Sequence, residues 1–284
     1  MTPLRQRMVN DMTVRGLAEN TRKSYLSSVS GLACHYGRSP DRISAQEVQD
    51  YLIFLHDERG LTWQSCNSAR HGIRFFYRIT LGRPDPHFYL PGAKTPSILP
   101  ELLNHDELVR LFSVTSNLKH RALLMTAYAA GLRASELGRL KISDIDSQRM
   151  CLRVDQGKGN KDRYVPLSPR LLEEFREYWR RARPETWLFP NQLLGRPLTR
   201  WAAAHIYDRA KEKAGIAKPG GVHTLRHCYA TGLLEAGVEL HIIQRRLGHS
   251  SIRSTMRYLH LACDKTSATP SPLDLLEFPH PAQS

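Results

Sequence analysis

The chain has 284 residues, enough for two domains and for a core that needs no covalent staples. Its 41 Lys and Arg against 27 Asp and Glu give a net charge of +14 at pH 7, the footprint of a surface for a polyanion, with nucleic acid the first candidate. Cys34, Cys66, Cys151, Cys228 and Cys263 are odd in number and form no CxxC pair, which argues against a disulfide framework and a zinc module; the charged N-terminus MTPLRQRMVNDM and the absence of any run near ~18 apolar residues argue against export and membrane spanning, so a reducing, cytoplasmic setting is expected.

Residues 1–90 read as a helical unit. Tyr25, Val29, Leu32 and Tyr36 recur at helical spacing after Asn20-Thr21. Ser44 and Glu47 have the form of a capping box opening a helix through Val48, Tyr51, Leu52 and Leu55. In the next run Ile73, Phe76 and Tyr77 share one side while Arg70, Arg74 and Arg78 form a cationic stripe on another, either a solvated face or a phosphate-contacting one. Five prolines within residues 83–100 stiffen the chain, and a linker is expected over 91–103.

A second unit is expected over 104–263. It opens at Asn104 and continues into an apolar helix that ends at Gly131, leaving Arg133 just beyond a helix end. An arginine in an apolar setting needs an anion, and Glu136 and Asp144 are the nearby carboxylates. Leu152 to Val154 and Arg163 to Leu167 read as two strands flanking a turn, with Gly157 and Gly159 holding Lys158 at its tip. That turn is not GxxxxGK[ST], so a nucleotide site is not expected. Residues 169–215 read as two helices around a turn-rich stretch. The tail, 264–284, is rich in Pro, Ser and Thr and is expected to be disordered apart from an apolar patch at Leu273 to Phe278. By count, residues 1–97 carry +5 and the remainder +9, so both units are basic.

The stretch His223 to His260 concentrates the chemistry. His223 and Arg226 are three apart and can leave one helix face. A run through Val238, Ile242, Ile243 and Leu247 ends at Gly248-His249, and Tyr258 follows nine residues later. Arg offers a fork suited to phosphate, His can move a proton near neutral pH, and Tyr can be a covalent nucleophile, so the set reads as a phosphoryl-transfer site that uses no metal.

In chain order, Gly131-Leu-Arg133-Ala-Ser-Glu136-Leu, Gly157-Lys158-Gly159 through Arg163, His223-Thr-Leu-Arg226-His227, Leu247-Gly248-His249 and Tyr258 resemble the tyrosine recombinases of the lambda-integrase family, most closely its bacterial Xer-like members. The resemblance spans nearly the whole chain. It implies a mainly α fold with a small β-sheet (α+β), in which a helical, SAM-like core-binding domain and a catalytic domain clamp a DNA duplex. It also implies that Tyr258 attacks a scissile phosphate to form a 3′-phosphotyrosyl link and that Arg133 and Arg226 clamp the non-bridging oxygens. Lys158 would then protonate the leaving 5′-oxygen, His223 would be the acid/base partner of the tyrosine, and His249 would donate to the phosphate. No cofactor and no metal are implied. His227 and His260 receive no catalytic role. Arg70, Arg74, Arg78 and Lys161 are candidate DNA-binding residues.

The implied partners are a double-stranded DNA recombination site and three further copies in a homotetramer on synapsed DNA, with or without a second recombinase. Integration of a mobile element and resolution of chromosome dimers are the biological settings. Two other readings share the fold or the chemistry: a DNA-binding accessory protein that does not cut, and a type IB topoisomerase.

Overall fold

A computed structural model describes residues 2–84, 100–155, 162–191 and 195–261. Lys158, Lys161, the linker up to residue 99, Cys263 and the tail with Leu273 to Phe278 lie outside them. The chain divides into two compact units, residues 1–97 and 98–284.

The first unit is helical: α1 (Pro3–Val14), α2 (Glu19–Tyr36), α3 (Ala45–Asp57) and α4 (Trp63–Phe75), the last prolonged by a wide π-type turn, Phe76–Thr80. Ser44 and Glu47 form the expected capping box, each side chain meeting the other's backbone N–H, and Thr62 caps α4. Val29, Leu32, Val48, Tyr51, Leu52, Ile73, Phe76 and Tyr77 share one core, joined by Met8 and Met12. Those methionines belong to α1, a helix that periodicity did not announce. α2 begins at Glu19, ahead of the expected Asn20-Thr21 boundary. Arg70 and Arg74 are half-buried and Arg78 is exposed.

The second unit is α+β. α5 (His105–Ser113) starts at a capping box between Asn104 and Glu107. α6 (Leu118–Ala129) buries Ala122, Leu123, Leu124 and Ala127 completely, which makes it the central helix, and α10 (His223–Glu235) and α8 (Pro169–Ala182) pack on it. A three-stranded antiparallel sheet follows α7 (Ala134–Arg139), in the order β1 (Ile145–Asp146), β2 (Cys151–Val154), β3 (Arg163–Pro166). The two longer strands are the expected ones, in the register Leu152 opposite Val165.

The turn-rich stretch between α8 and α9 (Arg200–Lys213) holds a two-residue ladder, β4 (Pro190–Asn191) with β5 (Arg196–Pro197), too short to leave a periodic signal. α11 (Leu240–Leu247), α12 (Arg253–Met256) and a 3-10 turn, Arg257–His260, complete the unit. Among the described residues no helix is long and apolar enough to cross a membrane.

Candidate active site

Two glycines set the backbone of the site. Gly131 turns the chain out of α6 with φ +58°, and a Cβ there would lie 2.3 Å from the Tyr229 ring on α10. Only glycine meets both demands, left-handed backbone and close approach. The turn delivers Arg133 to the N-cap position of α7. Gly248, at φ +63°, ends α11 in the left-handed cap expected from the sequence.

The last carbonyls of a helix lack partners within it and carry the negative end of its dipole. Here three arginines from three elements meet three successive carbonyls of α11. Arg163 donates through Nε to Arg246 O at 2.8 Å, Arg226 through Nη2 to Leu247 O at 2.6 Å, and Arg133 through Nη2 to Gly248 O at 3.1 Å. Arg226 also donates to Gly131 O at 2.6 Å, tying the α6 exit to α10.

One carboxylate serves the whole group. Glu136 accepts from both terminal nitrogens of Arg163, at 2.9 and 2.8 Å, and from Arg133 Nη1 at 2.7 Å; Arg226 Nη1 stands 3.8 Å away. Burial would raise the Glu136 carboxyl, but the bonds and charge of Arg163 and the Arg133 backbone N–H and charge hold it at about 2. Glu136 is thus the carboxylate that Arg133 required, while Asp144 pairs with Arg153. Among the described residues, three guanidiniums against one carboxylate leave a net +2, a standing demand for an anion. Arg133 is the most open of the three, its side chain 22% exposed against 8% for Arg163 and 1% for Arg226.

Beside this cluster lies a neutral pocket. Tyr258 is 1% exposed, packed with Ala230, Ile243 and Leu247. Burial raises its phenol above the ordinary value, against the opposing charges of Arg226, Arg257 and Arg133. Its hydroxyl lies 3.1 Å from His227 Nδ1. His223 meets the His227 ring edge-on, with centroids 4.9 Å apart, and the His249 ring lies parallel to Tyr258 at 6.3 Å. His249 Nδ1 is 2.8 Å from Thr255 Oγ1.

All three imidazoles are pushed down. Burial, then His223 and the charges of Arg257 and Arg226, bring His227 to about 4. Burial, then Arg226 and Arg133, bring His249 to about 3. His223 is lowered to about 4 by burial of its inner side and by Arg226, Arg133 and Arg257, although its outer edge is exposed and water screens part of that effect. The rings are therefore uncharged at neutral pH. Among the described residues no group of three or more His, Cys, Asp or Glu is placed to hold a metal ion.

The structure thus brings Arg133, His223, Arg226, His249 and Tyr258 together. Three residues that the sequence left without a role in the site belong to it: Glu136, Arg163 and His227. Glu136 carried a signal, an acid three residues beyond an orphan arginine. Arg163 and His227 carried none beyond lying within the motifs.

These motifs and this fold are those of a tyrosine-type site-specific recombinase. The family model "Phage integrase family" matches residues 101–265, and "Phage integrase, N-terminal SAM-like domain" matches residues 4–86. The chain belongs to the phage integrase family. It is 47% identical over 282 residues, 99% of this chain and 92% of the relative, to a Sinorhizobium fredii protein provisionally named an integrase/recombinase. Tyrosine recombinase XerD of Oceanobacillus iheyensis is 33% identical over 267 residues, with 87% of this chain and 89% of the relative covered. Among solved structures, XerH site-specific recombinase bound to its palindromic difH substrate, a post-cleavage complex, superposes with a TM-score of 0.62 at 25% identity, covering 81% of this chain and 72% of that one.

Proposed function

We propose that the chain cleaves and rejoins DNA strands at a specific duplex site through a 3′-phosphotyrosyl intermediate on Tyr258. The observation that carries this reading is the pairing of a buried tyrosine, hydrogen-bonded to a neutral histidine, with three guanidiniums that share a single carboxylate. A phosphodiester supplies the missing negative charge. Tyr258 Oη attacks phosphorus, the 5′-oxygen leaves, and the energy of the broken bond is kept in the new phosphoester.

Arg133 and Arg226 stabilise the charge that builds on the non-bridging oxygens. Thr255 Oγ1 engages His249 Nδ1; in the tautomer in which that hydroxyl donates, the ring proton sits on Nε2, from which it can be given to the phosphate. His223 is the acid/base partner, and Lys158, outside the described residues, protonates the leaving oxygen. Attack by a 5′-hydroxyl of another strand reverses the chemistry and completes an exchange.

DNA is the partner that the net charge and the DNA-bound relative support. Both the 1–90 unit and the 104–263 unit bind the duplex, Arg70, Arg74, Arg78 and Lys161 make phosphate contacts, and four protomers assemble on two synapsed sites in the cytoplasm. The tail, 264–284, would couple neighbouring protomers through Leu273 to Phe278.

The burial of Tyr258 to 1% favours one rival, a DNA-binding protein of this fold that does not cut. One experiment separates the two. Duplexes nicked beside candidate sites from the DNA flanking the gene should trap a covalent protein–DNA adduct that Tyr258→Phe abolishes. Binding to such a site without any adduct would establish the non-cutting reading, and relaxation of plasmid of arbitrary sequence without magnesium would instead indicate a topoisomerase.

A further inference from the structure

Tyr258 is held by a residue that the catalytic set does not include. Its hydroxyl lies 3.1 Å from His227 Nδ1, while the two terminal nitrogens of Arg226 are taken up by Gly131 O and Leu247 O. The phenol has one proton to donate, and a neutral imidazole offers one ring nitrogen to accept it. His227 is uncharged, so a ring nitrogen without a proton is available to take that bond. The imidazole has little freedom to turn away. It is buried in the body of α10, faced by the His223 ring at 86° and by Tyr258 at a centroid distance of 5.6 Å. Arg226 and His227 are consecutive, so one turn of one helix fixes both the guanidinium that would hold the phosphate and the ring that holds the phenol.

We propose that His227 is the positioning residue of the nucleophile: its Nδ1 accepts the Tyr258 hydroxyl and aligns the phenol beside Arg226. This rests on the functional reading above. The role differs from that of His223, whose ring contacts His227. A nucleophile displaced by about 1 Å can lose ~10²-fold in rate, so removing the acceptor should slow cleavage and leave DNA affinity unchanged.

Two substitutions separate alignment from packing. His227→Phe keeps the ring and removes the acceptor; His227→Asn loses the ring and keeps a polar atom near the Nδ1 position. On a nicked duplex that wild type cleaves, single-turnover adduct formation should fall about 10- to 100-fold in the Phe variant and largely recover in the Asn variant, with equal Kd for the unnicked duplex in all three. In parallel, 3-fluorotyrosine placed at position 258 should show a ¹⁹F resonance that moves in the Phe variant and returns in the Asn variant. Cleavage by the Phe variant at or above the wild-type rate, equal slowing in both variants, or an unmoved resonance would overturn the proposal. A wild type that forms no adduct on any duplex would overturn the functional reading instead, and the fluorine signal would then decide the contact alone.

Discussion

Arg226 and His227 are neighbours on one helix, both are buried, and they hold opposite states of charge. Arg226 is lowered only to about 10, by burial and by Arg133, with Glu136 opposing, and it stays charged at neutral pH. Its fork is filled by Gly131 O and Leu247 O. Burial first, then His223, Arg257 and Arg226, take the proton from His227, and among the described residues no carboxylate opposes them. Burial alone therefore fixes neither state; partners do. The site is two regions side by side, an ionic lattice built on the end of α11 and a set of neutral rings round Tyr258 that feels the charges of Arg226, Arg257 and Arg133.

The strongest way to break the lattice is to remove its one carboxylate. Glu136→Ala strands three guanidiniums and should cost about 3–5 kcal/mol of stability in the 98–284 unit, as for other broken buried pairs, read by urea or thermal denaturation. A variant as stable as wild type would show that the carbonyls of α11 suffice. Gly131→Ala comes next. It combines a left-handed backbone costing ~1 kcal/mol with a Cβ driven into Tyr229, an overpacking penalty of about 1–3 kcal/mol, and its melting point should drop accordingly.

The lattice also has an open member. Arg133→Ala should keep site binding while losing ~10²-fold of adduct formation. Arg226→Ala is a less clean probe, because Arg226 is 1% exposed and holds two backbone carbonyls, so it should unfold the lattice as well.

The neutral pocket gives the smallest effect, a pH dependence. An unfolded histidine binds a proton near 6.5, whereas folded His227 resists until about 4. The unfolded chain therefore takes up more protons between those values, and the stability contribution is complete above pH 6.5 and declines as pH falls towards 4. For His227 the loss by pH 5 is about 2 kcal/mol, with His249 acting in the same sense. Glu136 adds a further decline from 4.5 towards about 2. His227 alone should lower the melting temperature by about 5 °C between pH 7.5 and 5, with His249 adding to the fall, and His227→Phe should make the slope shallower. A flat profile in wild type would mean that His227 is charged in the fold.

Much of this was legible in the residues. The motif order carried Arg133, His223, Arg226, His249 and Tyr258 into one site, and the box at Ser44-Glu47 and the start at Asn104 marked two helix starts, because capping is local chemistry. Helix α1 escaped notice because only Met8 and Met12 of its twelve residues are buried, too few to set a period. Strand β1 and the β4–β5 ladder, two residues each, were below the length at which alternation can be read.

Sequence by itself determined which donors and nucleophile the chain possesses and where each stands on its own helix or strand, since those depend on neighbours within a few residues. It left open whether Glu136 or Asp144 answers Arg133, and which histidine meets the tyrosine. Those choices depended on contacts between distant parts of the chain, such as Arg226 on Gly131 and Arg133 on Gly248, 95 and 115 residues apart. Only the tertiary structure decided that the C-terminal end of α11 would be the place where three guanidiniums converge, because an unpaired carbonyl has no signature in the residue that bears it.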